Sequence, residues 1–367
     1  MDLKITKDTL VESIQIVQNA VSQKSSLPIL SNVLLEANKN KLKLTVTDLD
    51  VGISSTIPVS VENAGALTVP AKKFFDIIRS LPDGSEVTLS VKKNNFMNIR
   101  SGKAHFKIIG LPKEEFPQLP SFKDKDSVVI EQKILKEMLN LTDFAISKDD
   151  SRYVLNGIYF FVKGDKLSLV ATDGRRLAIN TKTIGKKTLV DRNVIIPMKT
   201  VQEVKRLLVD EGEITIKFGE NQILFSLGDS LVLSRLIEGE YPNYKNVIPE
   251  RTKKEVKVLR DDFLSAARRA SIFTDQDSMA IKLSIKKRKM TISKNTPYLG
   301  EAKEEIDVEY SGGTDVEIGF NPRYLIDVLK NLEDEEIFFE INDSNKPGVV
   351  RKGEEYTYVV LPMQLTM

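Results

Sequence analysis

A strand ending in Thr-Asp occurs twice in this chain, 125 residues apart, and no other feature limits the fold as much. Leu42-Lys43-Leu44-Thr45-Val46-Thr47-Asp48 falls position by position over Leu167-Ser168-Leu169-Val170-Ala171-Thr172-Asp173. The frames extend outward, with Asn32-Val33-Leu34-Leu35 over Gly157-Ile158-Tyr159-Phe160 and Phe116-Pro117 over Tyr241-Pro242. Helix starts near Lys7, Gln132 and Asp261, and proline-led helices near Pro70, Pro197 and Pro322, set out a third frame at nearly the same period. Each frame reads as strand, helix and strands, twice over. The predicted fold class is α+β, with three repeated domains of antiparallel sheet carrying two helices on one face, at 1–120, 126–247 and 253–367.

Inside the first frame, Leu10, Ile14, Val17 and Val21 follow the helical period and predict a helix over 7–21. Phe74, Ile77, Ile78 and Leu81 predict a second, opened by Pro70 and stopped by Pro82-Asp83-Gly84. Alternation in 42–47 points Leu42, Leu44 and Val46 inward and Lys43, Thr45 and Thr47 outward, as in a sheet wet on one side. The later frames predict helices over 132–146, 199–208, 261–273 and from Pro322 onward. Stretches rich in proline and charge, 116–125 and 241–254, read as links between frames.

Chemistry is constrained by what the chain lacks. It has no cysteine and one histidine, so disulfides, thiolate metal sites and multi-histidine sites are excluded. His105, between Ala104 and Phe106 in an alternating strand, reads as structural or surface. No phosphate-cradling glycine loop, HExxH or GxSxG pattern occurs, and Asp149-Asp150 and Asp261-Asp262 have no third ligand at a metal-binding spacing. No catalytic residue, metal or cofactor is therefore expected. No run approaches the roughly 20 apolar residues of a spanning helix, which predicts a cytoplasmic protein without membrane contact.

The formal net charge of +2 is unevenly spread. Counted over 7–21, 70–81, 132–146, 197–208, 260–272 and 321–331, the six helical stretches carry a net +5, which leaves −3 on the rest of the chain. Opposite the apolar stripes lie Lys72, Lys73, Arg79, Lys199, Lys205, Arg206, Arg268, Arg269, Arg323 and Lys330. One such face is an ordinary solvated surface; four of six leaning positive in a repeated layer predict a surface that meets phosphate.

Several motifs together resemble the bacterial β sliding clamp family, the β subunit of DNA polymerase III: Leu27-Pro28-Ile29-Leu30-Ser31-Asn32, Val69-Pro70-Ala71-Lys72-Lys73-Phe74-Phe75-Asp76, Tyr153-Val154-Leu155-Asn156-Gly157, Ala171-Thr172-Asp173-Gly174-Arg175-Arg176-Leu177-Ala178, Tyr241-Pro242-Asn243-Tyr244 and Tyr358-Val359-Val360-Leu361-Pro362-Met363. The resemblance covers the whole chain in register. It implies a processivity factor: a head-to-tail homodimeric ring that encircles duplex DNA without reading sequence. It would tether the DNA polymerase III catalytic subunit, the clamp loader complex, and other polymerases and repair proteins that carry clamp-binding peptides. By resemblance, Lys24, Arg152 and Tyr153 join the helix cations as DNA contacts, although Asp149-Asp150 should repel phosphate from the tip of that loop. The partner-peptide pocket would comprise Leu155, Thr172, Gly174, Arg175, Arg176, Leu177, Pro242, Val247, Val359, Leu361, Pro362 and Met363, with Thr172 and the Arg176 side chain at hand for hydrogen bonds. The dimer would close Phe106 and Ile108 against Ile272 and Phe273. The ending Gln364-Leu365-Thr366-Met367 departs from the family's usual one.

Simple geometry agrees with two chains per ring. At about 10 Å between neighbouring helices, six helices leave a hole of roughly 9 Å and twelve leave about 28 Å, whereas duplex DNA is about 20 Å across. The alternatives are a repeat scaffold that binds only proteins or another non-catalytic nucleic-acid-binding protein. An enzyme of nucleic-acid metabolism stands further off.

Overall fold

The computed structural model describes residues 1–21, 27–92, 94–118, 127–184, 191–276 and 278–365. Lys24, residues 119–125 of the first expected link, and Thr366-Met367 lie outside them. Six α-helices occur among the described residues: α1 (Lys7–Val17), α2 (Ala71–Ser80), α3 (Gln132–Asn140), α4 (Met198–Leu207), α5 (Arg260–Ser271) and α6 (Pro322–Asn331). Their starts follow from local chemistry. The Thr6 side chain accepts from the Thr9 amide at α1, and Asn321 accepts from the Arg323 amide at α6, where Pro322 fills the first turn. In α2 the buried Ala71, Phe74, Phe75 and Ile78 form one stripe, and Gly84, with φ +68°, turns the chain after it. Two helices end several residues earlier than expected. α1 stops at Val17 and continues as a 3₁₀ turn over Gln18–Ala20, and α3 stops at Asn140 ahead of another over Asp143–Ala145.

The chain divides into two compact units, 1–133 with 199–236, and 134–198 with 237–367. This division cuts through the second frame, because sheets run on from one frame into the next. In the first unit, Ser230–Arg235 of the second frame pairs antiparallel with Val51–Pro58 of the first, with Ser230 opposite Ser55. That ladder joins an eight-stranded sheet that ends in Ser127–Glu131 on one side and Gly65–Pro70 on the other. In the second unit, Tyr356–Val360 of the third frame pairs with Arg176–Thr183 of the second, with Tyr356 opposite Asn180. The result is a twelve-stranded sheet. Antiparallel strand–strand ladders of five residue pairs each hold consecutive frames together.

Each unit buries its own helices. α1 packs on α2 and on the strands Lys41–Thr47 and Val51–Pro58, and α5 packs on α6 and on Gly300–Tyr310. The expectation for 42–47 is corrected on its outward face. Thr45 and Thr47 are buried, so this strand is covered on both sides. The first unit also holds a five-stranded sheet whose last strand is Ala104–Ile109; there His105 is exposed and its ring meets the Asn98 side chain.

Candidate binding cleft and basic helix faces

The turn that follows Thr172 is built from its own side chains. The Thr172 hydroxyl donates to the Arg176 carbonyl at 2.6 Å and accepts from the Gly174 amide at 3.0 Å. Asp173 Oδ1 accepts from the amides of Arg175 and Arg176 at 2.9 and 3.1 Å, an Asx turn. Gly174 sits at φ +85°, where a side chain would be strained. The chain thus reverses into Arg176–Thr183, and the Leu361 amide donates to the Arg175 carbonyl to extend the joint by one bond.

Beneath the turn lies a small core of Val170, Leu177, Val349 and Val359, with Tyr159, Ile179, Tyr241, Tyr244 and Ile248 packed against it. Tyr159 stacks on Tyr241 with ring centroids 5.0 Å apart. Burial pushes the Tyr241 phenol far above the ordinary tyrosine range, so it stays protonated. Leu177 and Val359 present their other side to a cleft of about 300 Å³. Ten of the expected pocket residues line it: Leu155, Thr172, Gly174, Arg175, Arg176, Leu177, Pro242, Val247, Val359 and Leu361.

Pro362 and Met363 do not line this cleft. The Met363 amide donates to the Gly319 carbonyl at 2.8 Å, which draws the tail along the strand Val316–Phe320. Three other residues do line it, Arg152, Asn243 and Tyr244. Arg152 was expected on DNA, and its neighbour Tyr153 is exposed. Asn243 and Tyr244 sit in the quoted Tyr241-Pro242-Asn243-Tyr244 stretch, where one apolar residue was kept and the two that follow it were passed over.

The hydrogen-bonding expectation is also corrected. Arg176 is buried, and its guanidinium meets Asp173 at 2.9 Å, Asp327 of α6 at 2.6 Å and the Phe144 carbonyl at 2.5 Å, with its plane over the Tyr324 ring. Burial opposes its charge, but Tyr358, Asp327 and Asp173 outweigh that and raise its pKa above the usual arginine value. Thr172 is spent on its turn. The Thr172 hydroxyl has no donor left for a ligand, and the bonds to Asp173, Asp327 and Phe144 fix the Arg176 guanidinium in place. Arg176 acts instead as a fixed floor, and the exposed Arg175, together with Arg152, supplies the polar edge. A cleft with apolar walls, a rigid floor and cationic edges suits a short extended peptide with bulky apolar side chains.

The helix cations separate into two sets. Lys72 and Lys73 of α2, Arg268 of α5, and Arg323 and Lys330 of α6 are exposed and have no hydrogen bond or ion pair from their side chains among the described residues. The others are engaged. Lys199 pairs with Asp48, Arg79 donates to the Gln18 side chain, and Arg269 forms a two-point pair with Glu304. Arg206 donates to the carbonyls of Gln15 and Ile16 at 3.0 and 2.7 Å and to Glu203, and Lys205 is half-buried. Phosphate would have to compete with these partners.

Of the expected dimer residues, Phe106 and Ile108 lie in an edge strand, and Ile272 and Phe273 follow the C-terminal end of α5. Ala104–Ile109, with Phe106 half-buried and Ile108 buried, ends its sheet. Residues 300–307 of Gly300–Tyr310 pair only with Lys289–Thr296, so their other edge has no ladder among the described residues. Beside it Ile272 is 73% exposed, and a Cβ on Gly300 would touch the Phe273 ring at 3.5 Å. Tyr298 and Leu299, exposed at the tip of the hairpin before this edge, were missed by the sequence reading. Two apolar residues between Pro297 and Gly300 were the available signal. No group of three or more His, Cys, Asp or Glu that could hold a metal occurs among the described residues, and no helix among them is long and apolar enough to cross a membrane.

Residues 1–120, 129–243 and 245–364 match, in that order, the families described as DNA polymerase III beta subunit N-terminal domain, central domain and C-terminal domain. A beta sliding clamp from Proteus mirabilis is 35% identical over 370 residues, covering 100% of both chains. Among solved structures, the DnaN sliding clamp of Bartonella birtlesii bound to griselimycin is 37% identical with a TM-score of 0.94, and the Bacillus subtilis DNA polymerase sliding clamp is 33% identical with a TM-score of 0.95; each covers 100% of both chains.

Proposed function

The chain belongs to the DNA polymerase III β-subunit family, the bacterial β sliding clamps, and from that premise we propose the surfaces through which it works. It is a non-catalytic processivity factor of three clamp domains that, as a ring dimer, holds DNA polymerase III on duplex DNA. The observation that carries this reading is the succession of N-terminal, central and C-terminal clamp domains over 1–364.

The cleft beside Asp173-Gly174 takes the clamp-binding peptides of the polymerase catalytic subunit, the clamp loader, and other polymerases and repair proteins. Two bulky apolar side chains enter between Leu155, Leu177, Val247 and Leu361, and a glutamine meets Arg152, Arg175 or the backbone of the turn. Lys72, Lys73 and Arg268 meet phosphate first. Lys24, Arg152, Tyr153 and the paired cations Arg79, Lys199, Lys205, Arg206 and Arg269 contribute less. Few strong phosphate contacts, none aimed at base edges, favour sliding over sequence readout. The ring closes where the Ala104–Ile109 edge, with Phe106 and Ile108, meets the open edge at 300–307, with Ile272 and Phe273, of a second copy. The frames at 1–120, 126–247 and 253–367 are the three domains, and the protein works in the cytoplasm.

Loading onto nicked circular DNA, followed by linearisation, tests the reading. The circle should retain the protein through moderate salt and release it once cut. Equal retention on linear DNA with free ends would show ordinary electrostatic binding instead.

A further inference from the structure

Both joints between frames follow one rule. The strand that leaves the turn after Thr47 or Thr172 pairs antiparallel with the last strand of the next frame: Val51–Pro58 with Ser230–Arg235, and Arg176–Thr183 with Tyr356–Val360. The third frame has a strand in the same position, Gly300–Tyr310, whose residues 300–307 have no ladder on their outer side among the described residues. The first frame has a last strand, Ala104–Ile109, that ends its sheet. Carried once further, the rule joins these two edges across two copies of the chain.

The rule also carries a register. Hairpin turns at 39–40, 164–165 and 287–288 align the frames, since Asn38 faces Lys41, Lys163 faces Lys166, and the Lys286 amide bonds to the Lys289 carbonyl at 2.9 Å. Three residues on from Lys41, Lys166 and Lys289 stand the buried Leu44, Leu169 and Ile292, opposite Ser55, Asn180 and Glu304. The last strands begin just after glycine turns, at Ala104, Ser230 and Tyr356. Within the chain, Ser55 faces Ser230 and Asn180 faces Tyr356.

We propose that a second copy closes the ring with its Ala104 opposite Glu304, and hence Phe106 opposite Ala302, Lys107 opposite Glu301 and Ile108 opposite Gly300. This rests on the ring closure proposed above and adds its register. The side-chain faces agree. Phe106 and Ile108 stand opposite the buried Ile99 and Met97, while Gly300 and Ala302 share the face of Ile306, opposite the buried Met290, so core faces meet core faces. A slip by one residue would turn Phe106 and Ile108 toward Glu301 and Lys303. A slip by two sets Lys107 opposite Lys303, or leaves it opposite Leu299 without a charge. The small Gly300 and Ala302 leave room for Ile108 and Phe106, and a Cβ on Gly300 would touch the Phe273 ring at 3.5 Å, which sets Ile108 of the other copy beside Phe273.

The backbone agrees as well. The Gly110 amide donates to the Asn95 carbonyl, so the Ile109 amide, one residue earlier, points to the open edge. The Val308 amide donates to the Arg288 carbonyl, so the amides of Glu301, Lys303 and Glu305 point to theirs. At the two joints inside the chain the Arg235 amide donates to the Asp50 carbonyl and the Leu361 amide to the Arg175 carbonyl, both at 2.9 Å. The equivalent bond runs from the Ile109 amide to the Leu299 carbonyl. It brings together two side chains that are 65% and 55% exposed in the single chain.

The chain has no cysteine, so engineered pairs report without background. Ala104→Cys with Glu304→Cys should crosslink two full chains on mild oxidation, because only directly opposite Cβ atoms come within disulfide reach. Ala104→Cys with Ala302→Cys, or with Ile306→Cys, should not. Lys107→Glu and Glu301→Lys should each raise the dimer dissociation constant about threefold in sedimentation, and the double variant should restore it. A wild-type chain that sediments as a monomer overturns the ring closure and its register together. A dimer that crosslinks through 104 and 302, through 104 and 306 or through none of the pairs overturns the register alone, as does a double charge variant no tighter than the single ones.

Discussion

Asp48 and Asp173, 125 residues apart, make the same turn. Asp48 Oδ1 accepts from the amides of Asp50 and Val51, as Asp173 Oδ1 does from those of Arg175 and Arg176. Thr47 and Thr172 brace the two turns with matching bonds, and Leu49 and Gly174 take the left-handed position at φ +81° and +85°. The strand leaving each turn pairs with the next frame at an equivalent place, Ser55 opposite Ser230 and Asn180 opposite Tyr356. The repeat therefore includes the way frames are sewn together. The joints differ at the third residue after the aspartate, Val51 in one and the buried cation Arg176 in the other.

The left-handed residue offers a direct comparison. Leucine pays a steric cost at positive φ that glycine does not. Leu49→Gly is expected to stabilise the chain by up to about 1 kcal/mol, the relief exceeding the added freedom of the unfolded chain. Gly174→Ala should destabilise by about 1 kcal/mol, since it takes on the same strain and its Cβ would stand 2.6 Å from the Arg152 guanidinium. Urea midpoints of the two variants should move in opposite directions; movement in the same direction refutes the equivalence of the turns.

Arg176 should matter for stability more than for direct ligand contact. Removing it strands Asp173, Asp327 and the Phe144 carbonyl, so Arg176→Ala is expected to cost about 3–5 kcal/mol. Asp327→Asn, on a partly exposed partner, should cost less. A double-mutant cycle in chemical denaturation should return a coupling of about 1–3 kcal/mol between the two. Additive effects would mean that Asp327 is a bystander.

How much of this could be read from the chain depended on where each partner lay. Helix starts were legible because threonine, asparagine and proline act within one turn, as at Thr6, Asn321 and Pro322. The strand Val51–Pro58 was missed because it is buried on both faces, with Ser54 and Ser55 inside, and shows no alternation. Gly300–Tyr310 alternates, but its Glu301, Glu304 and Glu305 read as an acidic surface cluster. Most of the cleft was legible through the resemblance. The role of Arg176 was not, because its partner Asp327 is 151 residues away, nor was the path of the tail, which a backbone bond to Gly319 decides.

The pair of Arg269 and Glu304 predicts a pH dependence. The bond from Arg269 holds the Glu304 carboxyl below the usual carboxylate range. A depressed carboxylate contributes stability that is fully present above its unfolded pKa, about 4.3, and lost as pH falls through the lower folded value. The stability gap between wild type and Glu304→Gln should thus stay constant from neutral pH to about 5 and shrink below 4. Glu304→Gln also releases Arg269 toward phosphate, so DNA binding by this variant should depend more steeply on salt. A gap that widens in acid reverses the sign and removes the argument.

The peptide cleft can be tested at positions that the fold does not need. Leu361 and Val247 line it yet are 41% and 55% exposed, so their truncation should leave the chain folded. If a partner peptide covers Leu361, Leu361→Ala removes apolar contact worth about 1–2 kcal/mol, a loss of roughly five- to thirtyfold in affinity. Val247→Ala, which deletes less, should cost a few-fold. Met363→Ala is the contrast: Met363 lies outside the cleft, and the bond to Gly319 comes from its backbone, which alanine keeps. It should change peptide affinity by less than either of the others. Calorimetry with a Gln-x-x-Leu-Phe peptide, alongside retention of each variant on circular DNA, separates the outcomes. Weaker peptide binding with normal retention places the peptide in this cleft, whereas a Met363→Ala effect as large as that of Leu361→Ala would move the binding surface onto the tail.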